Sequence, residues 1–226
     1  MDFCFCWLRL ALKKEFEIFN RETTRTAAEL TGNTTLGRGI EHFTDGLSKI
    51  FQHYAKALKP GAPFVFTYHH NDPLAYVPLV VAILDAGLDC TTTFLVPAEM
   101  GASLHIAGTQ SSTLDTVFVC RGTHFRQNQA EDFEQALSRD IRALADAGMK
   151  LSSGDMRCLI SGHSARATVN KLRAGWVAER RLSERMGEAQ TTLLEFSQAM
   201  KNGSISVRPQ KSLSTTRSLS LHAAAV

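Results

Sequence analysis

A chain of 226 residues, 44% apolar and 21% charged, has a globular composition with room for one domain of ordinary size and some additional material. It has no run of 18 apolar residues, which excludes a transmembrane helix from the reading. The apolar start carries Arg9 inside it and Lys13-Lys14 after it, the wrong order for a signal peptide. The net charge of +3 is unevenly placed: residues 1–150 carry 14 Lys/Arg against 17 Asp/Glu, and residues 151–226 carry 11 against 5. A basic C-terminal third fits contact with a polyanion such as nucleic acid, and fits equally a solvated helical face. The five cysteines, Cys4, Cys6, Cys90, Cys120 and Cys158, are odd in number and scattered. They argue for a reducing, cytoplasmic setting without a disulfide framework. Cys4 and Cys6 have no second metal-binding pair behind them and read as apolar packing residues.

In chain order, residues 2–12 predict a helix whose first turns are buried, and residues 21–39 a loop. Residues 40–58 place Ile40, Phe43, Leu47, Ile50, Phe51, Tyr54 and Leu58 at helical spacing, and Lys59-Pro60-Gly61 ends that helix. The run Pro63 to Tyr68 predicts the most buried strand, covered on both faces of a parallel sheet. Residues 69–73 close it as a loop. A helix follows over 74–86, with Pro78 confined to its first turn and Gly87 as its stop. Residues 90–96 and 116–120 predict two strands that pair as an antiparallel hairpin at a sheet edge, joined by the polar loop 97–113. Residues 129–149 predict a helix, 156–200 a mainly helical basic region, and 202–226 a disordered tail.

Ala57-Leu58-Lys59-Pro60-Gly61 followed by Phe64-Val65-Phe66-Thr67 resembles the helix–turn–strand element of class I methyltransferases. Four further stretches narrow the likeness: Tyr68-His69-His70-Asn71-Asp72-Pro73, Ser103-Leu104-His105-Ile106-Ala107-Gly108, Asp115 to Arg121, and the opening Asp2-Phe3 with Trp7-Leu8-Arg9. Together they resemble a family of large, adenine-specific DNA methylases over residues 1–121, with an echo at Ser153-Gly154-Asp155-Met156-Arg157. The resemblance implies an α/β fold: part of a Rossmann-like methyltransferase sheet of about three strands with flanking helices, then a C-terminal helical appendage and the tail. It divides the chain at 1–122, 123–200 and 201–226.

The resemblance also implies S-adenosylmethionine as cofactor and DNA as substrate. The family carries a glycine-rich turn after a strand and an Asp-Pro-Pro-Tyr motif, neither of which occurs here. The expectation is that the catalytic residues belong upstream of Met1. The chain alone is then inactive, binds cofactor poorly, and needs a separately encoded N-terminal half. The alternative expectation is a non-catalytic module that binds DNA or a protein partner. No metal and no membrane are expected to take part.

Site candidates follow from the same likeness. Tyr68, His69, His70 and Asp72 sit at the C-terminal end of a strand, where ligands bind in open parallel sheets; the plainer reading is a polar loop. Ser103 and His105 lie in a connection long enough to favour a role at the substrate. A Ser103–His105–Asp115 hydrolase triad is set aside for want of a nucleophile elbow. Arg157, Arg166, Lys171 and Arg173 are the candidate phosphate contacts, and Trp176 reads as core.

Overall fold

The computed structural model describes residues 2–22, 24, 29–31, 37–98, 112–122 and 132–201. The expected tail and most of the loop 97–113 lie outside these residues. The fold is mixed α/β, built on a three-stranded sheet.

Helix α2 (Ile40–Ala57) buries Thr44, Ser48 and Phe51, leaves Ile40, Ile50 and Tyr54 of its apolar positions exposed, and sets Phe51 against Phe64 and Phe66, at ring distances of 5.0 and 5.1 Å. Gly61, at φ +76°, makes the turn into β1 (Phe64–Tyr68). Asp72 caps a 3₁₀ turn, Pro73–Tyr76, that runs straight into α3 (Val77–Asp85). Pro78 lies in the first turn of α3, where a helix has no use for its missing N–H. Every residue from Val77 to Leu84 is buried, so α3 is a core helix on all sides. Gly87, at φ +67°, ends it, and β2 (Leu88–Pro97) begins at once. After the long connection comes β3 (Leu114–Gly122).

The strand order is β1-β3-β2, with β3 antiparallel to both neighbours. β1 and β2 therefore run in the same direction, separated by a reversed strand. The pairing of β2 with β3 is as expected. The doubly covered parallel strand is not: among the described residues β1 is an edge strand, paired on one side to an antiparallel neighbour. Its Phe64, Phe66 and Tyr68 face the helices, while Val65 is 52% exposed. An apolar residue on the open face produced the continuous apolar run. The most buried strand is β3, with Leu114, Phe118 and Cys120 at 0% exposure.

The helical half follows as α4 (Phe133–Asp146), α5 (Ser153–Leu172) and α6 (Leu182–Lys201). Ala165, Val169, Ala189 and Leu193 belong to the same core as Phe118 and Val80. The basic region is thus built into the sheet's own core rather than hung from it. Gly162 of α5 is seated on β3, and a β-carbon there would lie 2.6 Å from Thr116 Cγ2. Trp176 packs against the core, as expected, and its Nε1–H donates to Asp85.

Helix α1 (Asp2–Leu12) corrects a second expectation. It folds back on a 3₁₀ turn, Glu17–Asn20, with Phe5 stacked on Phe19 and Arg9 donating to the Phe19 carbonyl. Trp7 and Leu10 are 64% and 73% exposed, and Cys4 and Cys6 are exposed too, so neither thiol packs. Local ring stacking holds this segment, not burial of its first turns. Among the described residues no helix is long and apolar enough to cross a membrane.

Candidate functional site at the strand ends

Because β1 and β2 run the same way, their C-terminal ends lie together, with the start of β3 between them: Tyr68 pairs with Thr116, and Pro97 with Leu114. The N-terminus of α5 reaches the same end. The sheet thus gathers Tyr68 to Asp72, residues 112–115, and Ser152 to Asp155 in one place.

His69 Nδ1 lies 2.9 Å from the Leu114 carbonyl oxygen and 3.4 Å from Asp115 Oδ1, and the ring is about one-third exposed. His70 Nδ1 accepts the Asp72 N–H at 3.0 Å, and Asp72 Oδ1 accepts the Leu74 N–H at 2.9 Å. Asn71 Oδ1 accepts the Ser112 N–H. Tyr68 Oη donates to the Ala75 carbonyl at 2.8 Å, and burial raises its pKa, so it remains a neutral phenol. Tyr68 and Asp72 therefore hold the turn that launches α3. His69 and His70 are the members of the set with ring edges left over.

Asp155 is buried and is the most heavily bonded group here. Its Oδ1 accepts from Ser112 Oγ (2.9 Å), from the Thr113 N–H (2.7 Å) and from Thr113 Oγ1 (3.3 Å). Its Oδ2 accepts from the Ser152 N–H (2.8 Å) and Ser152 Oγ (2.7 Å), and the Asp155 N–H returns to Ser152 Oγ, closing a capping box. Burial pushes the carboxyl pKa up, but the bonds from Ser152, Thr113 and Ser112 outweigh it, and the net pKa is lowered. Cys158, one turn further on, donates to the Leu114 carbonyl and lies 3.7 Å from Tyr76 Oη. Burial and the adjacent Cys158 raise the Tyr76 pKa well beyond the ordinary phenol range.

Ser103 and His105 lie outside the described residues. The four basic candidates do not share a surface role. Arg173 is half-buried and donates to Asp89 Oδ1 and to the carbonyls of Ile83, Leu84 and Leu88, closing the C-terminus of α3. Arg166 is 3% exposed. A phosphate contact needs an outward guanidinium, so these two are structural. Lys171 bridges to Glu195 at 2.7 Å and lies over the Phe196 ring, and Arg157 is exposed on α5.

Asp155, Ser112 and Asn71 were not singled out as site residues from the sequence. The Ser152-x-x-Asp155 spacing is the signal that marks the first of them. Among the described residues no three His, Cys, Asp or Glu side chains are grouped to hold a metal. Nor do the described residues fit S-adenosylmethionine. β1 leads into His69-His70-Asn71-Asp72-Pro73 and β2 into Pro97, with no glycine turn where a nucleotide-like cofactor would meet backbone N–H groups. Gly37 and Gly39 precede α2 without a strand before them among the described residues.

Compared with protein-family models, with curated proteins and with solved structures, the chain gives no match.

Proposed function

We propose that this chain is a non-autonomous part of an S-adenosylmethionine-dependent methyltransferase that acts on the exocyclic amine of adenine in DNA. Its share of the work is the substrate end of the sheet; the cofactor-binding and Asp-Pro-Pro-Tyr elements are not among its residues. The observation that carries the reading is topological. Two strands run in one direction with a last, reversed strand between them, which is how a class I methyltransferase sheet ends. The residues that resemble the methylase family, Tyr68 to Asp72 and Asp115, then fall together at the C-terminal strand ends. An inverted base needs hydrogen-bond partners at such an edge, and His69 and His70 supply them.

The experiment is an NMR titration of the chain with two short single strands, one containing adenine and one only thymine. Shifts confined to residues 68–72 and 112–116 with the adenine strand alone are expected. Equal responses to both strands, or none, would sink the reading. Calorimetry with S-adenosylmethionine accompanies it, and no saturable heat is expected from this chain.

A second reading, a partner-binding module without catalysis, has its own support. Val65 on β1 and Phe94 on β2 are 52% and 42% exposed on the sheet face turned away from α3 and α5, and the outer edge of β1 has no strand beside it among the described residues. Sedimentation with a chain carrying the Asp-Pro-Pro-Tyr motif tests it; a 1:1 complex is the expected result, and two independent boundaries would remove it.

A further inference from the structure

We propose that Asp155 is a positioning residue for His69: through residues 112–115 it holds the His69 ring as the Nδ1–H tautomer and leaves Nε2 as a bare hydrogen-bond acceptor for a ligand N–H or O–H.

The tautomer follows from the partners. Both atoms that face Nδ1 are acceptors, a main-chain carbonyl and a carboxylate. A carbonyl oxygen has no proton to give, so Nδ1 must carry it. In the neutral ring Nε2 is then unprotonated, and among the described residues no group bonds to it. Fixing one ring nitrogen by a buried backbone acceptor is how a histidine's other nitrogen is committed to a single role.

The link to Asp155 is a chain of bonds. Ser112 Oγ lies 2.9 Å from Asp155 Oδ1 and 3.0 Å from the Leu114 carbonyl oxygen, two acceptors within reach of its one proton, and its lone pair accepts the Leu114 N–H at 3.0 Å. Thr113 donates twice to the same carboxylate oxygen. Residues 112–114 are thereby tied to the first turn of α5, and the Leu114 carbonyl that receives His69 is fixed from behind, with Cys158 Sγ on the same oxygen at 3.3 Å. His69, on a loop, has no comparable anchor of its own. The charged and titratable groups around this path are Asp115 on β3, His70 and Asp72 on the loop, and Asp155 and Cys158 on α5.

An acceptor-only nitrogen selects ligands with a donor. That the ligand is a nucleobase amine rests on the function proposed above; the tautomer and its control by Asp155 do not.

The test uses the whole chain, labelled with ¹⁵N-histidine, at mildly alkaline pH. Long-range ¹H–¹⁵N spectra are expected to show His69 as the Nδ1–H form, the minor tautomer of free histidine. Asp155→Asn is expected to convert it to a mixture with the Nε2–H form. Asp140→Asn, a comparable change at a buried carboxylate elsewhere, is expected to leave it unchanged, which general destabilisation would not do. If Asp155→Asn fails to fold, Ser112→Ala cuts the same path while sparing the α5 cap. An Nε2–H tautomer in the parent chain overturns the proposal. So does an Nδ1–H form that survives both Asp155→Asn and Ser112→Ala. Adenosine, with an amine donor, is expected to shift the His69 Nε2 resonance more than inosine, which has a carbonyl there. Equal shifts with the tautomer intact overturn the nucleobase amine as the ligand and place the fault in the substrate reading, not in the clamp.

Discussion

His163 Nε2 lies 2.9 Å from Asp140 Oδ2, joining α5 to α4 in a place where His163 is 1% exposed and Asp140 8%. Thr93 of β2 approaches the other ring nitrogen at 3.4 Å, and Arg139 bonds the other carboxylate oxygen at 2.8 Å. Around the pair, Leu137, Ile141 and Leu159 form a second, smaller core. The charge is held by hydrogen bonds inside an apolar seam, so losing one partner strands the other.

This pair sets an acid limit on the docking of α4. Burial raises the Asp140 pKa, but the bonds from His163 and Arg139 outweigh it and the net shift is down from 3.8. A carboxyl with a lowered folded pKa stabilises fully above its unfolded value and ceases to do so as pH falls through the folded one. Asp140→Ala is expected to cost about 3 kcal/mol at neutral pH. Its difference from the parent chain should be constant down to about pH 5 and shrink below pH 4. Urea unfolding at a series of pH values measures this, and a difference that stays flat into acid contradicts it.

The seat of Gly162 on Thr116 gives a packing prediction. A β-carbon there meets Thr116 Cγ2 and Oγ1 at 2.6 and 2.8 Å, and Thr116 is 1% exposed. Gly162→Ala should destabilise by about 1–3 kcal/mol despite the better helix propensity of alanine. Thr116→Ala should recover part of that loss in the double variant, a coupling that a double-mutant cycle reads directly. Strict additivity would mean that the helix and strand are not in contact here.

Arg173 and Lys171 should separate structure from surface charge. Arg173→Met removes the donors to Asp89, to two carbonyls at the end of α3 and to the Leu88 carbonyl at the start of β2, an expected loss of about 2–4 kcal/mol. Lys171→Met breaks an exposed pair with Glu195 and should change stability by less than about 1 kcal/mol. Arg166→Met and Arg173→Met should leave the salt dependence of any DNA binding unaltered, since neither guanidinium is free to meet a phosphate. A reduced salt slope in either variant would return them to the interface.

Thiol reactivity should divide the cysteines two and three. Cys4 and Cys6 are exposed; Cys90, Cys120 and Cys158 are buried. The bond with Cys90 and then burial raise the Cys120 pKa, which keeps it protonated and unreactive. Native alkylation followed by mass analysis should show two adducts forming quickly and the other three only with unfolding. Early labelling of Cys120 would mean that β2 and β3 part readily.

The elements whose signals are local were legible in the sequence. The six apolar positions of α2 from Ile40 to Tyr54 repeat at helical spacing, Gly87 stops α3 at a positive φ, and Pro78 could only sit in a first turn. What failed depended on neighbours far along the chain. The run Phe64-Val65-Phe66 reads the same whether Val65 is covered or open, and only the pairing of β1 with β3 alone decides it. Arg173 looks like any surface arginine until the fold brings the α3 carbonyls of Ile83 and Leu84 to it from more than 80 residues away. In α5, Ser161, His163, Ser164, Arg166 and Thr168 are all buried, so a polar-looking helix is a core element. Of the candidate site, the histidine pair was legible from its place after a strand. The Asp155 clamp was hidden, because its partners come from the far side of a long connection.

The placement of β3 has a consequence for how the chain is made. Among the described residues β1 and β2 are not paired to each other; each is paired only to β3. On a ribosome they emerge first and must wait, unpaired, until Leu114 to Gly122 have left the exit tunnel. No part of this sheet can close ahead of its middle, so the described residues before Leu114 have helices to form but no ladder of this sheet. A nascent chain paused before residue 122 would offer its two lone strands to whatever chaperone stands nearby, and the sheet would appear in one step when synthesis resumes.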